Sequence, residues 1–580
     1  MKNEWNLSCI YTGLDDPRYE QDIAQLQKEL QLAHKTAQNK SVTRENIENI
    51  LAGQERCMLL IEKLFSYVSL SLSTEATNGA LMAQQARLSR MMAEAEADSA
   101  AETKILGSVT NVDELAKESP LIAKYAFLIK EAQKKCKHLL SDGEEAIIAA
   151  MDQTGGGAWG DLQSYLTSTL KVPYDGKTVT LSEVRNLAYD PDASVRKAAY
   201  EAELAACEKI EDSVAFSLNN IKSQVTMLCR KKGYESPLAM TLEQSRMSRE
   251  TLDAMFSAVK EYLPAFRKYL RKKGELLGHG NGLPFYDLFA PVGHYDRKFS
   301  LEQARDCLVE TFNELTPEMG SMMQKAFDCE WIDFYPRSGK SGGAFCAGLS
   351  WLKQSRILTN YDGTFGAVDT LAHELGHAYH NLQIENEPPL NREYPMPVAE
   401  TASTFNEIHL GAKALADAKP EEKIALLDSD LREKTQCVVD IYSRYLFETK
   451  VFEECQSNFL MAKDLKELML NCQKEAYGDG LDPDVLHPYM WLCKSHYYSS
   501  GFSFYNFPYA FGSLFAQGLY ALYQEQGQAF IANYREMLRT TAVHTIEEDG
   551  AMLGIDLTKK DFWVQSLEAV AREIEIFCKL

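Results

Sequence analysis

From Arg44 to Leu106 the chain runs through Ala, Glu, Leu and Met-rich sequence without one proline. A long run of strong helix formers with no breaker has few folds open to it other than packed helices. Upstream, Ile23, Leu26, Leu30 and Ala33 keep the three-four spacing of an amphipathic helix. Capping boxes mark further helix starts at Thr180 with Glu183 and at Ser300 with Gln303, and Pro420 suits a first helical turn. Strand signals are few. Trp331–Tyr335 alternates apolar and polar residues, and Gly343–Trp351 and Arg356–Tyr361 are short apolar runs. All three lie just before the segment LAHELGHAYHN. The expectation is a mainly α chain, a large helical body with a small β-sheet beside one helix.

Breaks at Gly155-Gly156-Gly157 and Pro173-Tyr174-Asp175-Gly176 suggest a boundary near residue 185. It separates an N-terminal helical domain (1–185) from a second domain (186–580). GHGNGLP (278–284) reads as a loop, and the basic run RKYLRKK (267–273) as a solvated helix face. The most apolar long stretch, Pro508–Tyr523, is short for a membrane span and contains Ser513 and Gln517, so a buried helix is expected. The first 22 residues have no apolar core, and no signal peptide is expected.

With 61 basic against 83 acidic residues the net charge is −22. That argues against nucleic acid and against anionic membranes as partners, since both repel such a chain. The 13 cysteines are scattered and odd in number. They read as reduced, mostly buried thiols of a cytoplasmic protein.

One segment carries chemistry. His373-Glu374-Leu375-Gly376-His377 matches H-E-x-x-H. Residues i and i+4 share a helix face, so both imidazoles can reach one ion. Zinc accepts such nitrogens and, in catalytic sites, keeps a position open for water. Glu374 can then face that water as general base without being a ligand. A third ligand must come from elsewhere. The H-x-x-G-x-x-H extension fails, because His380 and Gln383 stand where Gly and His are needed. After the loop at Pro395 and Pro397, VAETASTFNEIHL reads as a helix with Glu400 near its start. Glu400 is either the third ligand or a capping carboxylate in the first turn. Glu407, about two turns on, is a candidate to orient a ligand histidine. His380 reads as a hydrogen-bonded core histidine close to the site.

LAHELGHAYHN followed by VAETASTFNE strongly resembles oligoendopeptidase F, a branch of the thimet-oligopeptidase-like zinc peptidases. SGGAFC (341–346), YDLFAP (286–291) and HYYSSGFSFYNFPYAFG (496–512) are similar to that family too. The resemblance implies that Glu400, followed by Ser403, completes a site for one zinc ion with His373 and His377. It implies a helical body enclosing a substrate channel, and cleavage of short unfolded oligopeptides by a metal-activated water. Downstream His and Tyr residues that contact the scissile carbonyl map onto His496, Tyr505 and Tyr509. The strand at Gly343-Ala344-Phe345 is expected to pair with the substrate backbone, as a sheet edge can. Two other readings remain open: a metallo-exopeptidase, which needs a fixed charge for a peptide terminus, and a non-catalytic helical peptide-binding protein.

Overall fold

In a computed structural model, which describes residues 2–580, the proline-free run is two helices, Arg44–Thr74 and Gly79–Gly107. Asn78 caps the second by accepting from the Ala80 and Leu81 amides. Both expected capping boxes form, at Thr180–Glu183 and Ser300–Gln303, and Pro420 opens its helix. The fold is mainly α, with 70% helix and 4% strand.

The chain divides into two compact units, each assembled from three separate stretches. The first takes the chain up to Leu139, Arg297–Tyr394 and Gly527–His544. Its helices Pro17–Gln38, Arg44–Thr74 and Gly79–Gly107 pack together around Tyr11, Tyr19, Leu64, Tyr67 and Val68. Arg44–Thr74 is, among the described residues, the one helix long and apolar enough to cross a membrane by length and composition. Its Ile50, Leu64 and Val68 are nevertheless buried, and its Arg56 and Lys63 pair with Glu29 and Asp22 of the preceding helix.

The same unit holds a three-stranded sheet with Gln354–Leu358 in the middle, between Ile332–Asp333 and Phe345–Leu349. Strands β1 (Lys171–Tyr174) and β2 (Lys177–Thr180) belong to the other unit; here β3 is Ile332–Asp333, β4 Phe345–Leu349 and β5 Gln354–Leu358. β3 pairs parallel with β5, and β4 antiparallel from Phe345↔Leu358 to Leu349↔Gln354. All three expected strand regions are therefore strand, each shorter than its apolar run. Leu349 of β4 joins the core of the first helices, and the helix Phe365–Ile384 packs on β4 and β5. β4 is an edge strand.

The second unit takes Leu140–Asp296, Pro395–Gln526 and Thr545–Leu580. Sequence reading missed its β1–β2 hairpin and saw only a break. Asp175 and Gly176 both have positive φ, +49° and +70°, as a two-residue type I′ turn requires. The basic run at 267–273 is not wholly a solvated face. It lies on the helix Arg249–Leu276, whose Lys273 is fully buried and reaches Asp428 at 3.0 Å. Pro508–Tyr523 falls in the helix Phe507–Gln526, which packs between Thr401–Asp417 and Lys560–Phe577 and is buried along most of its length. All 13 cysteines are free. Four are buried and seven half-buried, with Cys9 and Cys329 exposed, so fewer are buried than expected.

Candidate active site

The H-E-x-x-H residues sit in the middle of Phe365–Ile384, a helix opened by Thr364, whose hydroxyl accepts from the Ala367 amide at 3.2 Å. The His373 and His377 rings lie one turn apart with centroids 4.9 Å apart and planes at 82°. Both are half-buried, whereas Glu374 between them is 5% exposed. Burial, and then the Glu374 carboxylate, push the Cys346 thiol of β4 well up from its ordinary value. The edge strand packs on this helix, with Asn381 Nδ2 3.8 Å from Cys346 Sγ. Asn381 fixes the helix against the sheet, with its Nδ2 3.4 Å from Ser355 Oγ.

His380 is fully buried. Its Nε2 is 2.9 Å from Thr541 Oγ1, and its ring stacks on Tyr394 at 4.2 Å. Burial, then the neighbouring His377, hold it down to about 3. It is the hydrogen-bonded core histidine that the sequence suggested.

Glu400 stands between the short helix Met396–Ala399 and the helix Thr401–Asp417. Its side chain makes no capping hydrogen bond. The Ser403 hydroxyl donates to Glu400 Oε2 at 2.8 Å instead, fixing the carboxylate. One ligand atom each of His373, His377 and Glu400 lie within 4.8 Å of one another. Glu407 is half-buried on the same helix as Ser403.

Three residues from the aromatic run gather in the unit that carries Glu400. His496 lies in the single turn Ser495–Tyr497, Tyr505 in the following loop and Tyr509 in the first turn of Phe507–Gln526. Tyr505 stacks on His496 at 5.2 Å, and Tyr509 meets the same ring edge-on at 5.8 Å. His496 Nε2 is 3.4 Å from Tyr509 Oη. Burial, then the Arg444 and Lys494 charges, hold His496 down to about 4. Burial, then Tyr505 and Glu400, push Tyr509 up to about 12. One turn beyond Tyr509, a Cβ on Gly512 would fall 3.2 Å from Glu400 Cβ. Glycine there lets the two helices close on each other.

Sequence reading missed what holds this loop. Phe504 has φ +53°, a conformation that aromatic residues rarely adopt. Its amide donates to Glu448 Oε1 at 3.0 Å, and Asn506 Nδ2 donates to Oε2 at 3.0 Å. Glu448 is fully buried and paired with Lys222 at 2.6 Å. Tyr505 is thus pinned on both sides. Nothing in the sequence singles out Glu448 from the other two glutamates of the helix Ile441–Glu454.

Comparisons with known proteins follow the same lines. Residues 108–171 match the family model described as Oligopeptidase F. The chain is 24% identical to an oligoendopeptidase F homolog of Lactococcus lactis subsp. lactis (strain IL1403), covering 100% of this chain and 97% of the relative. It is 22% identical to oligopeptidase PepF of Bacillus subtilis (strain 168), covering 89% and 78%. Among solved structures, a putative peptidase from Chlamydophila abortus superposes with TM-score 0.85 at 21% identity, covering 100% and 98%. The oligoendopeptidase-F from Enterococcus faecium superposes with TM-score 0.72 at 19% identity, covering 97% and 98%. The model described as Peptidase family M3 matches residues 186–569, about two thirds of the chain and all of the residues gathered above, and the chain belongs to that family.

Proposed function

We propose that the chain is a zinc-dependent endopeptidase that hydrolyses short unfolded oligopeptides. One zinc ion would be held by His373, His377 and Glu400. The observation that carries this reading is the grouping of those three ligand atoms within 4.8 Å, in a chain of peptidase family M3. Two imidazoles and a carboxylate suit zinc, and three protein ligands leave a position for water. The names of relatives from Lactococcus lactis and Bacillus subtilis, oligoendopeptidase F homolog and oligopeptidase PepF, support oligopeptides as substrates.

Zinc, when bound, acidifies water and polarises the scissile carbonyl. The rest falls to the chain. Glu374 takes the proton of the attacking water and passes it to the leaving amine. Its 5% exposure keeps bulk water from competing. Tyr505 or Tyr509 donates a hydroxyl hydrogen bond to the developing oxyanion, where a preorganised donor has most effect. His496, held neutral at working pH, keeps one ring N–H for the same oxygen. Ser403 steadies Glu400, and Glu407 orients a ligand histidine. The β4 edge, packed on the motif helix, aligns the peptide backbone by strand addition. Recognition through main-chain bonds makes for broad sequence preference.

Free thiols throughout support a cytoplasmic setting, and the acidic charge supports neither nucleic acid nor an anionic membrane as partner. We also propose that 1–185 and 186–580 are the functional divisions; the two family models meet between residues 171 and 186. The test is metal analysis together with cleavage of an internally quenched peptide blocked at both ends. One zinc per chain and internal cleavage are expected. Cleavage only when a terminus is free would make the enzyme an exopeptidase, and binding without cleavage a peptide-binding protein.

A further inference from the structure

A cavity of about 200 Å³ lies within the unit that holds Glu400. That is several times the ~30 Å³ share of a water molecule in the liquid. Four cations line it, Arg185, Arg196, Arg444 and Lys494, against two carboxylates, Glu203 and Asp440. The lining therefore carries two net positive charges, or one when Asp287, which holds Arg196 at 2.7 Å, is included. The whole chain carries −22. A positive cavity in so acidic a chain concentrates anions locally against the general field.

The pairing within the cavity is incomplete. Arg185 pairs with Glu203, Arg196 with Asp287 and Arg444 with Asp440. Lys494 has no such partner: among the described residues its amine makes no ion pair and donates no hydrogen bond. Arg444 is 9% exposed, and its Nε is buried without an acceptor. The buried Arg444 Nε costs free energy that an accepting anion would remove, and the half-buried Lys494 amine is free to take the same anion. Burial and the Arg444 charge hold the Lys494 amine down to about 8, against the pull of Asp440. Tyr189, Tyr200 and Tyr286 add ring surface to the wall, which suits an anion on an organic body better than a bare ion.

The cavity adjoins the proposed catalytic residues. Lys494 is two residues before His496, and Arg444 and Lys494 are the two charges that act on the His496 ring. Arg444 also acts on Tyr509. We propose that the Arg444–Lys494 cavity is a subsite that binds a carboxylate of the peptide substrate, so that the place of this carboxylate along a short peptide sets where the cut falls. The subsite rests on the peptidase reading above.

The test is calorimetric binding of N-acetylated peptides to the Glu374→Gln protein. Each peptide is made with a C-terminal acid, with a C-terminal amide, and as an amide with an added glutamate. The acid is expected to bind about tenfold tighter than the plain amide. Lys494→Met should collapse that ratio toward one, and Lys494→Arg should restore it. An advantage for the glutamyl amide alone assigns the carboxylate to a side chain instead of the terminus. Competition by inorganic phosphate, lost in Lys494→Met, supports the anion site independently. Equal binding of all three peptides, or an acid preference that survives Lys494→Met, overturns the subsite. The two readings fail separately. Wild-type cleavage with no acid preference removes the subsite and leaves the peptidase; acid-selective binding without cleavage does the reverse. Absence of any peptide binding removes both.

Discussion

Glu374 and His373 are adjacent in sequence, yet their assigned roles predict different losses. Glu374→Gln keeps all three metal ligands and removes the base. Metal content should stay at the wild-type level while kcat falls by at least ~100-fold, the usual range for a lost acid–base group; near-normal turnover would exclude it as the base. Tyr509 offers a second test. Tyr509→Phe deletes one oxygen and leaves the ring against His496. Loss of an oxyanion donor typically costs about 100- to 1,000-fold in kcat, with KM little changed. If Tyr509 only packs, the Phe variant turns over normally, and Tyr505→Phe becomes the variant to measure. His380 predicts a pH effect on stability. Its folded value near 3 lies below the 6.5 of an exposed histidine, so the unfolded chain binds the proton first. The sign is fixed: its contribution is complete above pH 6.5 and is lost as pH falls toward 3. The slope is at most about 1.4 kcal/mol per pH unit for one proton. Urea unfolding at pH 7.5, 6 and 5 should show wild type losing stability that His380→Leu does not lose.

At the scale of elements, two helices meet at a glycine. Gly512→Ala would place a methyl 3.2 Å from Glu400 Cβ, while alanine in a helix favours folding by about 1 kcal/mol over glycine. The expected outcome splits the two: zinc retention after dialysis falls while the melting temperature holds or rises. A parallel drop in both would mean general disruption instead of a displaced ligand. Nothing in the sequence marked this contact. The motif helix, its histidine face and the capping boxes were legible because each depends on residues within four positions of one another. The hairpin at 171–180 was hidden because its strands are four residues each, too short for alternation to register beside Pro173. Its Asp175-Gly176 turn was nonetheless written in the sequence. Glu400 was legible only as one of two choices, because the hydroxyl of Ser403 that holds its carboxylate carries no pattern that separates a ligand from a first-turn acid. The Glu448 anchor joins residues from two helices and a loop, and no local pattern encodes such a junction.

For the whole molecule, the charge of −22 should govern how peptides arrive. Fields from a protein this acidic speed cationic ligands, and salt screens them, with a Debye length of about 10 Å at 0.1 M. The kcat/KM of a lysine-rich peptide should fall between 20 and 200 mM salt, while that of a neutral isostere stays nearly flat. Identical salt curves would rule out steering. The division into units bears on the order in which the molecule can be made. The chain passes from one unit to the other near residues 139, 296, 394, 526 and 544. The unit with the H-E-x-x-H helix therefore still lacks Gly527–His544, including Thr541 beneath His380, when nine-tenths of the chain has been synthesised. During translation both histidines exist long before their helix has its full support. A polypeptide released or cut between residues 377 and 527 would carry the whole H-E-x-x-H motif on an unfinished body, a species that quality-control proteases are equipped to remove.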